Sequence, residues 1–247
     1  MSVTVVVPRR GINDDHQGKK HALHKLIQAA PTEYVWMQDD DIVPPAQTPP
    51  LEGDMIILPL RMDGGETFLE RLQRAEYAAI QEVTVRMAKK GRAVMCSGAN
   101  LIVRRDRWLE SWEDLHPDIP SGDDMFLLES FKRRALQVAV LDKPEFTAVV
   151  HPVRGLRPFL RQRMRWAGKA PHYTDKDILR CGAVVLGANI LQIICPLIIL
   201  VKFPYEYALI KKRDPAVSLG VSICLELLYP WYILVSLLGG LCSRRSW

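Results

Sequence analysis

Hydrophobic positions change period several times along the chain, and each change predicts an element. The β-branched run at 3–7 ends at Pro8 and predicts a buried strand. Residues 9–17 are polar and read as a loop. Between Gly18 and Ala30, the apolar residues Ala22, Leu23, Leu26, Ile27 and Ala30 fall at helical spacing. A second strand at 34–37 runs straight into Gln38-Asp39-Asp40-Asp41, and Pro44, Pro45, Pro49 and Pro50 exclude regular structure behind it. Residues 54–60 predict a third strand, and 66–90 a long amphipathic helix stopped by Gly91. Short strands are expected at 93–96 and 101–103, on either side of Ser97-Gly98-Ala99-Asn100, with a short helix over 105–112. Ser121 is placed to cap a helix from Asp123 to Arg134, and 138–141 and 148–150 complete the strands. Strands alternating with helices define an α/β layer architecture.

The pattern then changes character. Residues 182–201 contain no charged side chain and match the ~20 residues a spanning helix needs. Residues 216–242 are also long enough but contain Glu226. A charge at the centre of a bilayer costs at least ~2.5 kcal/mol, so this carboxylate must face protein, an interface or a polar cavity. Tyr205, Tyr207, Tyr229, Trp231 and Tyr232 suit the headgroup level. A buried hairpin in a soluble protein is the alternative, but soluble helices of this length usually keep a polar face.

The 247 residues carry a net charge of +5 and a pI near 9.0. Basic chains meet nucleic acid, anionic membrane or phosphorylated substrates. No nucleic-acid motif is present and the basic residues flank apolar stretches, so a membrane surface and a diphosphate substrate are the expected partners. Cys96, Cys181, Cys195, Cys224 and Cys242 form no close pair, which argues against a disulfide framework or a zinc site.

Three clusters can carry chemistry. Asp39-Asp40-Asp41 follows a strand, and strand alternation would point Asp39 and Asp41 the same way, as a hard cation such as Mg²⁺ or Mn²⁺ requires. A solvated acidic turn explains the triplet alone equally well. Asp123-Asp124 opens a helix, where the dipole stabilises acids, and either residue could also accept a proton from an acceptor hydroxyl. The third cluster is Gln162-Arg163-Met164-Arg165-Trp166, in a strongly basic segment with Arg157, Arg161 and Lys169. It suits an amphipathic helix on anionic lipid. It also offers Arg165 to a diphosphate and Trp166 to a sugar face. Lys19 and Lys20 either contact phosphate or form a solvated helix start. His151 could approach a metal, although a lone histidine is usually no ligand; His21 and His24 read as surface or satisfied side chains.

The order of these clusters resembles family 2 of the glycosyltransferases, in which a DxD element, an (E/D)D pair and a Q(x)xRW motif precede membrane helices. Gly18-Lys19-Lys20 with Ala22-Leu23, and Ser97-Gly98-Ala99-Asn100, also look like the family's connecting text. The resemblance covers roughly 18–169 and implies a GT-A-like mixed sheet with flanking helices, followed by a transmembrane helical hairpin. It implies inverting transfer of a hexosyl or N-acetylhexosaminyl unit from a UDP- or GDP-sugar to a lipid or glycan acceptor, with Mg²⁺ or Mn²⁺. It places the metal on Asp39 and Asp41, the base on Asp124 with Asp123 beside it, and diphosphate and acceptor binding on Asp39, Gln162, Arg165 and Trp166. The expected division is 1–155 catalytic, 156–180 interfacial and 181–247 membrane-spanning, with catalysis on the cytosolic side. Charges around the tail, Lys202, Lys211, Lys212 and Arg213 against Arg244 and Arg245, leave the position of the intervening loop open. One departure is the single strand before Gly18, where the family has two. Either 3–7 is the first strand and the second is missing, or it is a later strand and the entire nucleobase half is absent; Asp14-Asp15 is a weak substitute, and the departure motivates an alternative, a non-catalytic membrane subunit with a partner enzyme. A metal-dependent phosphatase would explain neither the Arg-Trp segment nor the tail.

Overall fold

The computed structural model describes residues 2–9, 18–119 and 121–242. Asp14-Asp15, most of the expected 9–17 loop, and Arg244 and Arg245 lie outside them. Two compact units are present: Met1–Arg61 with Thr84–Val150, and Met62–Val83 with His151–Trp247.

The first unit is built on a five-stranded mixed sheet, the α/β class expected. Its strands are β1 (Val3–Val6), β2 (Tyr34–Gln38), β3 (Met55–Ile57), β5 (Asn100–Arg104) and β6 (Val138–Val140), in the order β1-β2-β5-β3-β6. β1 runs parallel to β2, and β6 parallel to β3, while β5 is antiparallel to both its neighbours. β2 is buried at every position, as a central strand should be, whereas β1 lies at the sheet edge with Val5 exposed. The buried strand expected at 3–7 is therefore an edge strand. Tyr34, Trp36, Ile56, Leu58, Ile102 and Phe146 form a core on one face of the sheet. Asn100 is buried within it: its Oδ1 accepts from Trp36 Nε1 at 2.9 Å, and its Nδ2 donates to the carbonyls of Pro59 and Phe146 at 2.9 and 3.0 Å.

Three expected elements differ. The strand expected over 54–60 is two pieces, β3 and β4 (Leu60–Met62), broken around Pro59, which has no N–H for a ladder. β4 joins β7 (Ala148–Val150) in a separate two-stranded sheet. Ala93, Val94 and Cys96 are buried and Met95 half-buried, but 93–96 form no strand. The Ala93 carbonyl is taken by Lys132 Nζ at 2.8 Å, and the Cys96 thiol donates to the Asp124 carbonyl at 3.2 Å. Helix α4 (Asp123–Arg133) begins without a Ser121 cap. Gly122 holds that position at φ 89°, a left-handed conformation that favours glycine.

Helices α1 (Lys19–Ala29) and α3 (Arg105–Glu110) fall where helical spacing placed them. α2 (Phe68–Lys89) starts with a capping box: Thr67 Oγ1 accepts from the Glu70 amide at 3.2 Å, and Glu70 Oε2 from the Thr67 amide at 3.3 Å. Its Phe68–Val83 stretch belongs to the second unit, where Ala75 and Ala78 form a core with Ile210, Val217 and Leu225.

That unit also contains α5 (Leu156–Ala167), α6 (Lys176–Ile194), α7 (Ile199–Arg213) and α8 (Leu219–Cys242). α6 and α8 are each long and apolar enough to cross a membrane. The span expected at 182–201 is displaced: α6 begins earlier, at an Asp175 cap, and stops before Pro196. The link between the two apolar helices is itself helical. Glu226 on α8 is buried and pairs with Lys202 of α7 at 2.8 Å, so it faces protein as expected.

Candidate functional site

The sheet ends β2 at Gln38, and Asp39, Asp40 and Asp41 follow in a turn. Alternation stops with the strand, so a shared face for Asp39 and Asp41 does not come from the pleat. Asp39 is about one-third exposed, and Asp40 and Asp41 are exposed. In open α/β sheets, ligands bind beyond the carboxyl ends of strands, where this turn lies.

α1 brings Lys19 to the same place. Its Nζ lies 2.6 Å from Asp39 Oδ1 and 3.7 Å from Asp123 Oδ2. One ammonium thus links the strand-end triplet to the acid pair at the start of α4. Burial opposes the charge on Lys19, but Asp123, Asp39 and Asp124 outweigh it and hold the ammonium above its ordinary value. Lys20, next in the chain, is buried and donates to the carbonyls of Leu115 and His116, the latter at 2.9 Å. It is a clamp on the approach to α4, so the phosphate reading is kept for Lys19 alone.

The acid pair is held differently at its two members. Asp123 is buried, and among the described residues its Oδ2 has no hydrogen-bond partner, only the Lys19 charge. Asp124 is half-buried. Its Oδ1 accepts from the Met125 amide at 2.8 Å and its Oδ2 from the Gly98 amide at 3.3 Å. Gly98 allows this approach: a Cβ there would lie 3.1 Å from Asp123 Oδ2 and 3.5 Å from Lys19 Nζ. Burial, with the charges of Asp124 and Asp123, pushes the thiol of the buried Cys96 well above its ordinary value and so favours its protonated form.

The third cluster lies on α5 in the second unit. Gln162 is half-buried; Arg165 and Trp166 are exposed. Sequence reasoning gave no separate part to Arg163, which organises them. It is buried, pairs with Glu76 of α2 at 2.5 Å, donates to Gln162 Oε1 at 2.6 Å, and lies over the Trp166 ring at 4.3 Å. The available signal was its place four residues after Phe159, on the apolar side of the helix. His151 is exposed just after β7, in this second unit. His21 and His24 pack against Trp112, with ring centroids 5.2 and 4.1 Å away.

The first unit thus gathers Lys19, Asp39, Asp123 and Asp124 beyond a strand end, and the second arranges Gln162 and Trp166 around Arg163. An α/β domain carrying a charged site at that end is of the broad class in which ligands bind beyond the carboxyl ends of the strands. The particular family is narrower: the model described as glycosyltransferase like family 2 matches residues 2–169, most of the chain, and the chain belongs to that family. No curated protein matches it.

Proposed function

We propose that the chain is a membrane-associated inverting glycosyltransferase that moves a hexosyl or N-acetylhexosaminyl unit from a UDP- or GDP-sugar to a lipid or glycan acceptor. The observation that carries this reading is Lys19, whose ammonium ties Asp39 to Asp123 and so unites two acidic clusters distant in sequence.

Asp124 is the base. The Met125 and Gly98 amides fix its carboxylate, and it accepts the acceptor hydroxyl proton as that oxygen bonds the anomeric carbon and the bond to the diphosphate breaks. Asp123 and Lys19 keep the charge around it fixed. Asp39 and Asp41 are the candidate holders of Mg²⁺ or Mn²⁺: both are hard oxygen donors that reach solvent, and Asp39 would be shared between the ion and the Lys19 ammonium 2.6 Å away; no group of three or more acidic, histidine or cysteine side chains suited to a metal is present among the described residues. Such ions are commonly held by one or two carboxylates together with substrate phosphates. When bound, the ion would neutralise charge on the departing diphosphate. Gln162, Arg165 and Trp166 serve the diphosphate and acceptor end, with Arg163 holding Gln162 and Trp166 in place. Functionally, 1–155 is the catalytic part, 156–180 the interfacial part and 181–247 the membrane part, with catalysis on the cytosolic side where nucleotide-sugars are made.

The test uses the full chain in detergent with Mn²⁺ and a panel of UDP- and GDP-sugars. Turnover is expected, and Asp124→Asn should lower it about 10²–10⁴-fold with the fold intact by circular dichroism. Wild-type rates in Asp124→Asn refute the base. No nucleotide binding at millimolar UDP or GDP with metal favours a non-catalytic membrane subunit.

A further inference from the structure

Length and composition allow α6 and α8 to cross a membrane, but the packing of the second unit argues against it. On α8 the exposed residues Ile223, Leu227, Trp231, Val235, Leu238 and Leu241 recur every three or four positions and form one apolar stripe. The rest of its circumference is occupied. Leu225 packs with Ala75 and Ala78 of α2, and Tyr232 meets the Phe159 ring of α5 with centroids 5.5 Å apart. Gly239 lies so close to α5 that a Cβ there would fall 2.7 Å from Met164 Cε. α5 thus accompanies the second half of α8. It carries exposed Arg157, Arg161 and Arg165, together with the buried Arg163–Glu76 pair. A crossing α8 would draw those arginines into hydrocarbon beside it, a placement each of them opposes.

α6 and α7 form an excursion that returns to the same charged helices. α6 starts among Lys176, Asp177 and Arg180, and α7 ends on Lys211, Lys212 and Arg213. Lys212 and Arg213 pair with Glu82 of α2 at 2.6 and 3.1 Å, and Asp214 accepts from Arg74 of α2 at 2.5 and 2.9 Å. The turn between the two helices is apolar throughout: residues 193–201 read Ile-Ile-Cys-Pro-Leu-Ile-Ile-Leu-Val. Ile194, Leu197, Leu200 and Val201 are 71–75 % exposed. A hairpin that crossed would hold these side chains in water on the far side, against the hydrophobic effect. The backbone of the turn suits hydrocarbon instead. Pro196 has no N–H to leave unpaired, Cys195 donates to the Leu191 carbonyl at 2.7 Å, and Ile198 donates to the Cys195 carbonyl at 3.0 Å. At 1.5 Å per residue the uncharged part of α6, 181–194, is about 21 Å long and α7 about 22 Å, both short of the ~30 Å hydrocarbon core. The charges within α7 and α8, Lys202, Glu206 and Glu226, face one another.

We propose that the tail is seated in a single leaflet: α6 and α7 form a re-entrant pair whose turn stays in hydrocarbon, α8 lies beside α5 with its stripe toward lipid, and none of these helices crosses. The inference rests on the membrane association proposed above and fixes its mode.

The test synthesises the full chain cell-free with sealed phosphatidylcholine vesicles already present, so that it enters from outside, and recovers the vesicles by flotation. A membrane-impermeant maleimide is added to sealed vesicles, to vesicles opened with melittin, and to samples dissolved in SDS. Labelled peptides are read by mass spectrometry. Cys195 and Cys242 are both exposed on the protein, so lipid is what can shield them. The chain is expected to float. Cys242, and Ala216→Cys between α7 and α8, should label in sealed vesicles, whereas Cys195 should stay unlabelled until SDS is added. Native Cys195 and Cys242 carry the test alone should Ala216→Cys not fold. Labelling of Cys195 on opening with melittin means that α6 crosses. Protection of Cys242 in sealed vesicles means that α8 leaves the near surface. Either result overturns the single-leaflet seat and leaves membrane association standing. Labelling of Cys195 in sealed vesicles overturns it too, because the turn then lies in water. A chain that does not float overturns membrane association as well. None of these readouts depends on sugar transfer, which the turnover assay decides by itself.

Discussion

Asp114, outside the site, ties the stretch before α4 to that helix through two contacts. Its Oδ2 accepts from Ser130 Oγ at 2.6 Å, and its Oδ1 pairs with Arg133 at 2.5 Å. Burial pushes its carboxyl up, but the Ser130 hydroxyl and Arg133 outweigh burial and hold it below the usual carboxylate range. A depressed folded value gives stability that is complete above the unfolded value near ~3.9 and lost as pH falls through the folded value. The share of stability that Asp114 supplies should thus be complete above about pH 5 and lost below about pH 4, so the gap between the urea midpoints of the wild type and Asp114→Asn should close as pH falls through that range. Residue types were legible in the sequence at this scale, but partners were not. Lys19 read equally well as a solvated helix start, because nothing local shows that folding brings Asp123 to its ammonium. Asn100 read as acceptor-side text, yet its side chain joins Trp36, Pro59 and Phe146 inside the core. Arg163 was hidden among other arginines until Glu76 was seen opposite it.

Elements were more legible than partners, since periodicity is local and tertiary pairing is not. α1, α2 and β2 lie within a few residues of expectation because their apolar spacing is long and regular. Errors gathered at prolines and at short apolar runs. Pro59 split one strand and Pro196 moved a helix end, while 93–96 had strand composition but no ladder to join. The link between the apolar helices is the largest surprise, because α7 supplies Lys202 to Glu226 and to Glu206 at 3.1 Å. Lys202→Met would strand two carboxylates among apolar helices. It should destabilise the detergent-solubilised chain by about 3–5 kcal/mol, seen as a lower thermal midpoint. Adding Glu226→Leu and Glu206→Leu should recover most of the loss.

At the scale of the whole chain, order in sequence and order in space part company. Composition separated a charged front from an apolar tail, but each compact unit is assembled from two separate stretches. Residues 62–83 fall in the front half by sequence and in the tail's unit by contact, a transfer that no periodicity signals. Removing everything after Asp175 is therefore predicted not to release a soluble enzyme. It would uncover the α2 face that packs against Ile210, Val217 and Leu225. Size-exclusion chromatography of that truncation should show aggregate, and a clean monomer would contradict the packing described here.

The same arrangement sets a schedule for biosynthesis. Ala75 and Ala78 leave the ribosome long before α8, which completes their cover, has been translated. Until then the nascent chain carries a helix face with nothing to rest on. Its maturation is thus coupled to delivery of the final helices, and delays there should leave it dependent on chaperones.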